Sequence, residues 1–158
     1  MRSVFRLLAI SALILIALIS TSVAGNEKAL KKSIAKVHRI AIQVDQNDPA
    51  VMNLALNNAT NVLEHYRAKG EPVEVNVVTY GPGLHMLRDT SPVQDRIKQL
   101  KDLAFPGKIE FSACNNTKQA MEKREGQSIA ILPEATLVPS GVVTLMELQE
   151  KGWSYVRP

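Results

Sequence analysis

The chain has 158 residues, 19 basic and 15 acidic side chains, a formal net charge of +4 at neutral pH and 46% hydrophobic residues. That size and composition suit one hydrophobic core and one domain. A single cysteine, Cys114, excludes an intramolecular disulfide, and the nearly balanced charge excludes the basic stripe of a nucleic-acid binder.

In chain order, the first feature is a short basic start with Arg2 and Arg6. An uncharged apolar run from Leu7 to Ile19 follows, then Thr21-Ser22-Val23-Ala24. Small residues at Ser22 and Ala24 match a signal-peptidase site, so residues 1–24 are expected to be a secretory signal cut after Ala24. The rival reading is a retained anchor, but the run is shorter than the roughly 20 apolar residues of a membrane span. Cleavage removes Arg2 and Arg6, taking 19 basic residues to 17 against 15 acidic ones, a formal charge of +2. The mature chain is then expected to bind neither nucleic acid nor membrane. It is exported across the inner membrane, and periplasmic in a Gram-negative cell. Residues 25–36, with Lys28, Lys31, Lys32 and Lys36, read as a solvated basic leader. The domain occupies 37–158.

Val37 to Val44 predicts a strand, closed by the polar run Asp45 to Pro49. Asp48 can cap a helix whose first residue is Pro49. Met52, Ala55, Leu56, Ala59, Val62, Leu63 and Tyr66 then recur at helical spacing up to a stop at Gly70. Val73 to Tyr80 is a second strand, broken by Gly81-Pro82-Gly83. Ser91-Pro92 opens a helix carrying Val93, Ile97, Leu100 and Leu103 or Ala104, closed by Pro106-Gly107. Lys108 to Ala113 is a third strand running into Cys114, and Asn115 or Asn116 caps a polar helix ending near Gly126. Pro133-Glu134 interrupts the apolar stretch Ile129 to Val138, which leaves a strand at Ala135 to Val138. Ser140-Gly141 begins a last helix with Val142, Leu145, Met146 and Leu148, stopped by Gly152, and Trp153 to Val156 is a final strand. This alternation predicts an α/β fold, a three-layer α/β/α, flavodoxin- or Rossmann-like domain with a mostly parallel sheet of about five strands.

In such a sheet, ligands bind beyond the carboxyl ends of the strands, and Cys114 falls there, between a strand and a helix. Unpaired N–H groups and the macrodipole at a helix start favour a thiolate and so a nucleophile. The competing reading is a buried cysteine acting as a small hydrophobe. Gly81, Pro82, Gly83 and His85 occupy another loop on the same edge, where His85 reads either as base or ion-pair partner or as an ordinary loop histidine. Pro139, Ser140 and Gly141 offer a further helix start, with Ser140 foremost a cap. No metal-ligand spacing or phosphate loop is present, so neither metal nor cofactor is expected.

The stretches Val77-Val78-Thr79-Tyr80-Gly81-Pro82-Gly83-Leu84, Phe111-Ser112-Ala113-Cys114-Asn115-Asn116-Thr117, Val138 to Val143 and Gly152 to Pro158 resemble the DsrE/DsrF-like family of small sulfur-relay proteins, in its exported single-domain form. The resemblance implies a flavodoxin-like sheet in homotrimers or homohexamers, and a cysteine placed as Cys114 that carries sulfur as a persulfide between donor and acceptor proteins. It also implies that the loops of Gly81, Pro82 and Gly83 and of Pro139, Ser140 and Gly141 line the pocket, and His85, Asn115 and Asn116, on the same edge, are expected to line it with them. Two readings follow. The first is a periplasmic sulfur carrier, at most a sulfurtransferase. The second is a non-enzymatic oligomeric binding protein for a small ligand or partner, with a structural cysteine.

Overall fold

The computed structural model describes residues 36–158. The expected signal, and all but the last residue of the basic leader, lie outside the described residues. Residues 37–158 form one compact unit. Its elements run β1 (His38–Val44), α1 (Pro49–Lys69), β2 (Val73–Thr79), a 3₁₀ helix (Gly81–Leu87), α2 (Gln94–Leu103), β3 (Lys108–Cys114), α3 (Asn115–Glu125), β4 (Ala135–Val138), α4 (Gly141–Glu150) and β5 (Ser154–Val156).

Local chemistry sets most of the boundaries. Asp48 is extended and its carboxylate accepts from the Ala50 N–H at 2.8 Å, ahead of Pro49 in the first turn of α1. Gly70 ends that helix in the left-handed conformation, where a side chain would be strained. The start of α2 differs from expectation. The Ser91 hydroxyl accepts from the Val93 N–H at 3.3 Å in a local turn, so the regular helix begins only at Gln94. The Gly81-Pro82-Gly83 break is itself the start of the 3₁₀ helix, which buries Leu84, Met86 and Leu87.

The sheet order is β4-β3-β2-β1-β5, with every pair parallel. The chain steps from β1 to β2 to β3 to β4 in one direction, then returns across the sheet to reach β5. Parallel crossovers are right-handed, so steps in one direction place their helices on one face and the return places its helix on the other. The two hydrophobic clusters follow that rule. Ile42, Val44, Val75, Val77, Phe111 and Ala113 pack against Met52 and Leu56 of α1, Ile97 of α2, Met121 of α3 and the 3₁₀ residues. On the opposite face only Ala41 and Val78 meet Leu145 of α4, with Tyr80, Leu148 and Trp153 packed at the margin. Met52, Leu56 and Ile97 are fully buried, each contributing about 1.5–3 kcal/mol of apolar burial.

The face under α4 is more polar. Ser112 donates to Asn76 Oδ1 at 2.9 Å, and the Tyr155 hydroxyl donates to Gln43 Oε1 at 2.5 Å. Asn76, Ser112 and Gln43 are buried, and these bonds satisfy them. Among the described residues, no helix is long and apolar enough to cross a membrane.

Candidate functional site

β3 ends at Cys114, whose backbone is still extended (φ −67°, ψ 114°). Cys114 is therefore itself the N-cap of α3. Its sulfur accepts from the Thr117 N–H at 3.4 Å. Neither Asn115 nor Asn116 caps the helix, although asparagine is the stronger capping residue in isolation; both are already inside it.

Register places Cys114 beside Val138 of β4, and one step beyond the Thr79–Ala113 pair, so Tyr80 flanks its other side. From Val138 the chain turns through Pro139 and Ser140 into α4, the helix of the return crossover. Its first residue, Gly141, lies hard against the end of β2. A Cβ there would meet the Tyr80 Cβ at 2.9 Å and the Thr79 carbonyl oxygen at 3.2 Å. This close approach brings a second helix start to the sulfur. Ser140 occupies the N-cap position of α4 without a side-chain cap bond, its carbonyl accepting from the Thr144 N–H at 3.0 Å.

Burial, with Cys114 only 4% exposed, pushes the thiol pKa up. The Thr117 hydroxyl and the N–H groups of Gly141, Thr117 and Asn116 more than offset it, leaving the thiol below its ordinary value. The Asn116 N–H also donates to the Pro139 carbonyl at 3.3 Å, tying the two helix starts together. Cys114 belongs to neither hydrophobic cluster. The groups that lower its pKa are donors, and donors stabilise a thiolate.

Thr117 is the residue that sequence reading passed over as a site residue. Its Oγ1 accepts from the Gly81 N–H at 3.0 Å while its hydroxyl faces the thiol. The side chain thus joins the Gly81 loop to the sulfur. The available signal was its place in the first turn after Cys114, where the third residue of a helix meets the cap.

Beside Thr117 opens a cleft of about 390 Å³ between α3 and the 3₁₀ helix. Of the residues expected to line a pocket, Gly81, Pro82, His85 and Asn116 border it, together with Thr117. Gly83 is not on its wall. That residue is buried, and a Cβ on it would fall 2.1 Å from the Val44 carbonyl oxygen, so only glycine lets the 3₁₀ helix seat on β1. Asn115, Pro139, Ser140 and Gly141 stand near the sulfur rather than in the cleft. Burial and the Arg88 charge lower the His85 pKa, which favours a neutral imidazole over a cationic partner for the thiolate. Among the described residues no three of His, Cys, Asp and Glu gather closely enough to hold a metal ion.

An all-parallel α/β sheet with one thiol at its carboxyl edge, held between two helix starts, defines a small single-cysteine α/β domain. The chain belongs to the DsrE/DsrF-like family, whose model matches residues 38–158, and membership suggests a role related to sulfur relay. It is similar to a solved protein of unknown function from Methanobacterium thermoautotrophicum, with 29% identity and a TM-score of 0.64 over 77% of this chain and 99% of the other. No curated protein matches the chain.

Proposed function

We propose that this protein is an exported covalent sulfur carrier in which Cys114 holds a persulfide. The observation that carries this reading is the placing of the Cys114 sulfur as the N-cap of α3, where it accepts from the Thr117 N–H at 3.4 Å beside the start of α4, on a residue that belongs to neither hydrophobic cluster. The Cys114 thiolate attacks the outer sulfur of a donor R–S–SH. A Cys114–S bond forms, the donor S–S bond breaks, and R–S⁻ leaves and takes up a proton. An acceptor thiolate then attacks the outer sulfur of Cys114–S–SH, and the Cys114 thiolate departs. No electrons are gained or lost overall, so no cofactor is needed. The donor groups that stabilise the resting thiolate also stabilise it as leaving group in the second step.

Oligomer formation is part of the proposal. It is supported by the outward side of α4, where Val142, Val143 and Met146 are exposed on the thinly covered face of the sheet. Light scattering on the mature protein is expected to give a trimer or hexamer, and a monomer refutes that part. Export is supported by the N-terminal sequence pattern, and intact mass of the periplasmic fraction reads the cut after Ala24.

The 4% exposure of Cys114 favours one competing reading, a binding protein with a structural cysteine. Alkylation of the native protein against pH separates the two. A carrier gives a rate midpoint well below the unperturbed thiol value of about 8.5, whereas a packing cysteine stays unlabelled until denaturant is added.

A further inference from the structure

The cleft beside Thr117 has a chemistry of its own. Asn116, Ala120 and Arg124 lie one turn apart along α3, and all border the cleft. The span from Asn116 to Arg124 is eight residues, or about 12 Å along the axis. Its inner end is polar and lies one side chain from the sulfur, through Thr117. Its middle is apolar, with Pro82, Ala120 and Met121, and its outer end carries the Arg124 guanidinium. Among the described residues, none that borders it bears a carboxylate.

Arg124 is also an available cation. Among the described residues its nearest carboxylate, on Glu125, stands 4.0 Å away. That carboxylate is already held by both terminal nitrogens of Arg88, at 2.9 Å each. Among the described residues, the guanidinium, on a side chain 67% exposed, therefore borders the cleft without a close partner of its own. A guanidinium recognises a carboxylate through paired hydrogen bonds.

Resting on the carrier reading, we infer that the cleft binds the organic part of the sulfur donor, a low-molecular-weight persulfide whose carboxylate pairs with Arg124 while its sulfane sulfur lies at the Thr117 end. A volume of about 390 Å³ suits a small organic ligand and is larger than an inorganic sulfur anion fills. The apolar middle takes the methylene portion. Reaction follows the transfer already described, with the donor leaving as its thiol.

S-methylglutathione, an unreactive carboxylate-bearing thioether, tests the binding step separately from the chemistry of Cys114. Calorimetric titration of the full chain is expected to show one site per chain. Arg124→Gln weakens binding about fivefold, the upper end for a largely exposed charge pair, whereas Lys123→Gln, a neighbouring cation outside the cleft, changes it less than about twofold. In parallel, inorganic polysulfide, which has no carboxylate, still loads Cys114 to one sulfur atom per chain in both wild type and Arg124→Gln. Absence of S-methylglutathione binding to the wild type, or equal weakening by both substitutions, overturns the inference and leaves the carrier reading standing. Failure of every sulfane donor to load Cys114 refutes the carrier reading, while the calorimetry still reports on the cleft.

Discussion

Replacing Thr117 by valine tests the origin of the thiolate most sharply, because the two side chains have nearly the same shape and only the hydroxyl is lost. In the wild type that hydroxyl faces Cys114 while its oxygen accepts from the Gly81 N–H at 3.0 Å. A hydrogen bond to a charged group contributes about 1.5–3 kcal/mol. With Cys114 only 4% exposed, water does not replace the lost donor. At about 1.36 kcal/mol per pH unit, the Cys114 midpoint is expected to rise by roughly 1–2 units in Thr117→Val. The Gly81 N–H loses its acceptor in the same variant, which costs about 1 kcal/mol of folding stability, the low end for a group still partly reached by water. Iodoacetamide alkylation against pH reads the first effect, and urea unfolding reads the second. Thr117→Ser keeps the hydroxyl and is expected to hold the midpoint within about half a unit of wild type. An unmoved midpoint in Thr117→Val, with the fold intact, would show that the hydroxyl does not set the thiol.

Gly141→Ala forces a methyl to within 2.9 Å of the Tyr80 Cβ. The start of α4 should move off the sheet, costing about 1–3 kcal/mol and raising the Cys114 midpoint; urea unfolding with alkylation kinetics reports both. Gly83→Ala places its Cβ 2.1 Å from the Val44 carbonyl oxygen, so a loss of at least about 3 kcal/mol is expected, seen as a lower thermal midpoint. Cys114 makes stability depend on pH with a defined sign. Its folded pKa lies below the unfolded one, so the thiolate stabilises the fold above the unfolded value of about 8.5, and that contribution is lost as pH falls through the folded pKa. The stability difference between wild type and Cys114→Ser, a non-titrating cap, should therefore widen in favour of wild type as pH rises towards the unfolded thiol value of about 8.5. A difference that stays flat refutes it.

The order of strands and helices was legible because each element carries its own periodicity and end signals. Asp48-Pro49 and Gly70 bracket α1 as their chemistry demands. The placement of Cys114 at the end of β3 was legible for the same reason. Its role as cap was not. Intrinsic preference favours asparagine, but strand pairing as far as Cys114–Val138 keeps Cys114 extended and lets the helix begin at Asn115. The 3₁₀ helix was hidden because Gly-Pro-Gly reads as a break, and nothing local says that Leu84 and Leu87 are buried. Its end is fixed at long range, where the Leu87 carbonyl accepts from the Leu132 N–H at 2.9 Å. The second set of donors was the least visible. Gly141 reaches Cys114 only because the chain reverses direction after β4 and lays α4 over the opposite face. Glycine there reads as a helix start, and the contact that requires it comes from Tyr80, far away in sequence.

The most direct test of a sulfur carrier is intact mass of the native protein after incubation with a persulfide donor and removal of excess reagent, run beside Cys114→Ser. The account predicts a gain of one sulfur atom per chain in the wild type, removable by an acceptor thiol, and none in the variant. A wild-type mass that stays unchanged, with Cys114 labelled only after denaturation, contradicts it.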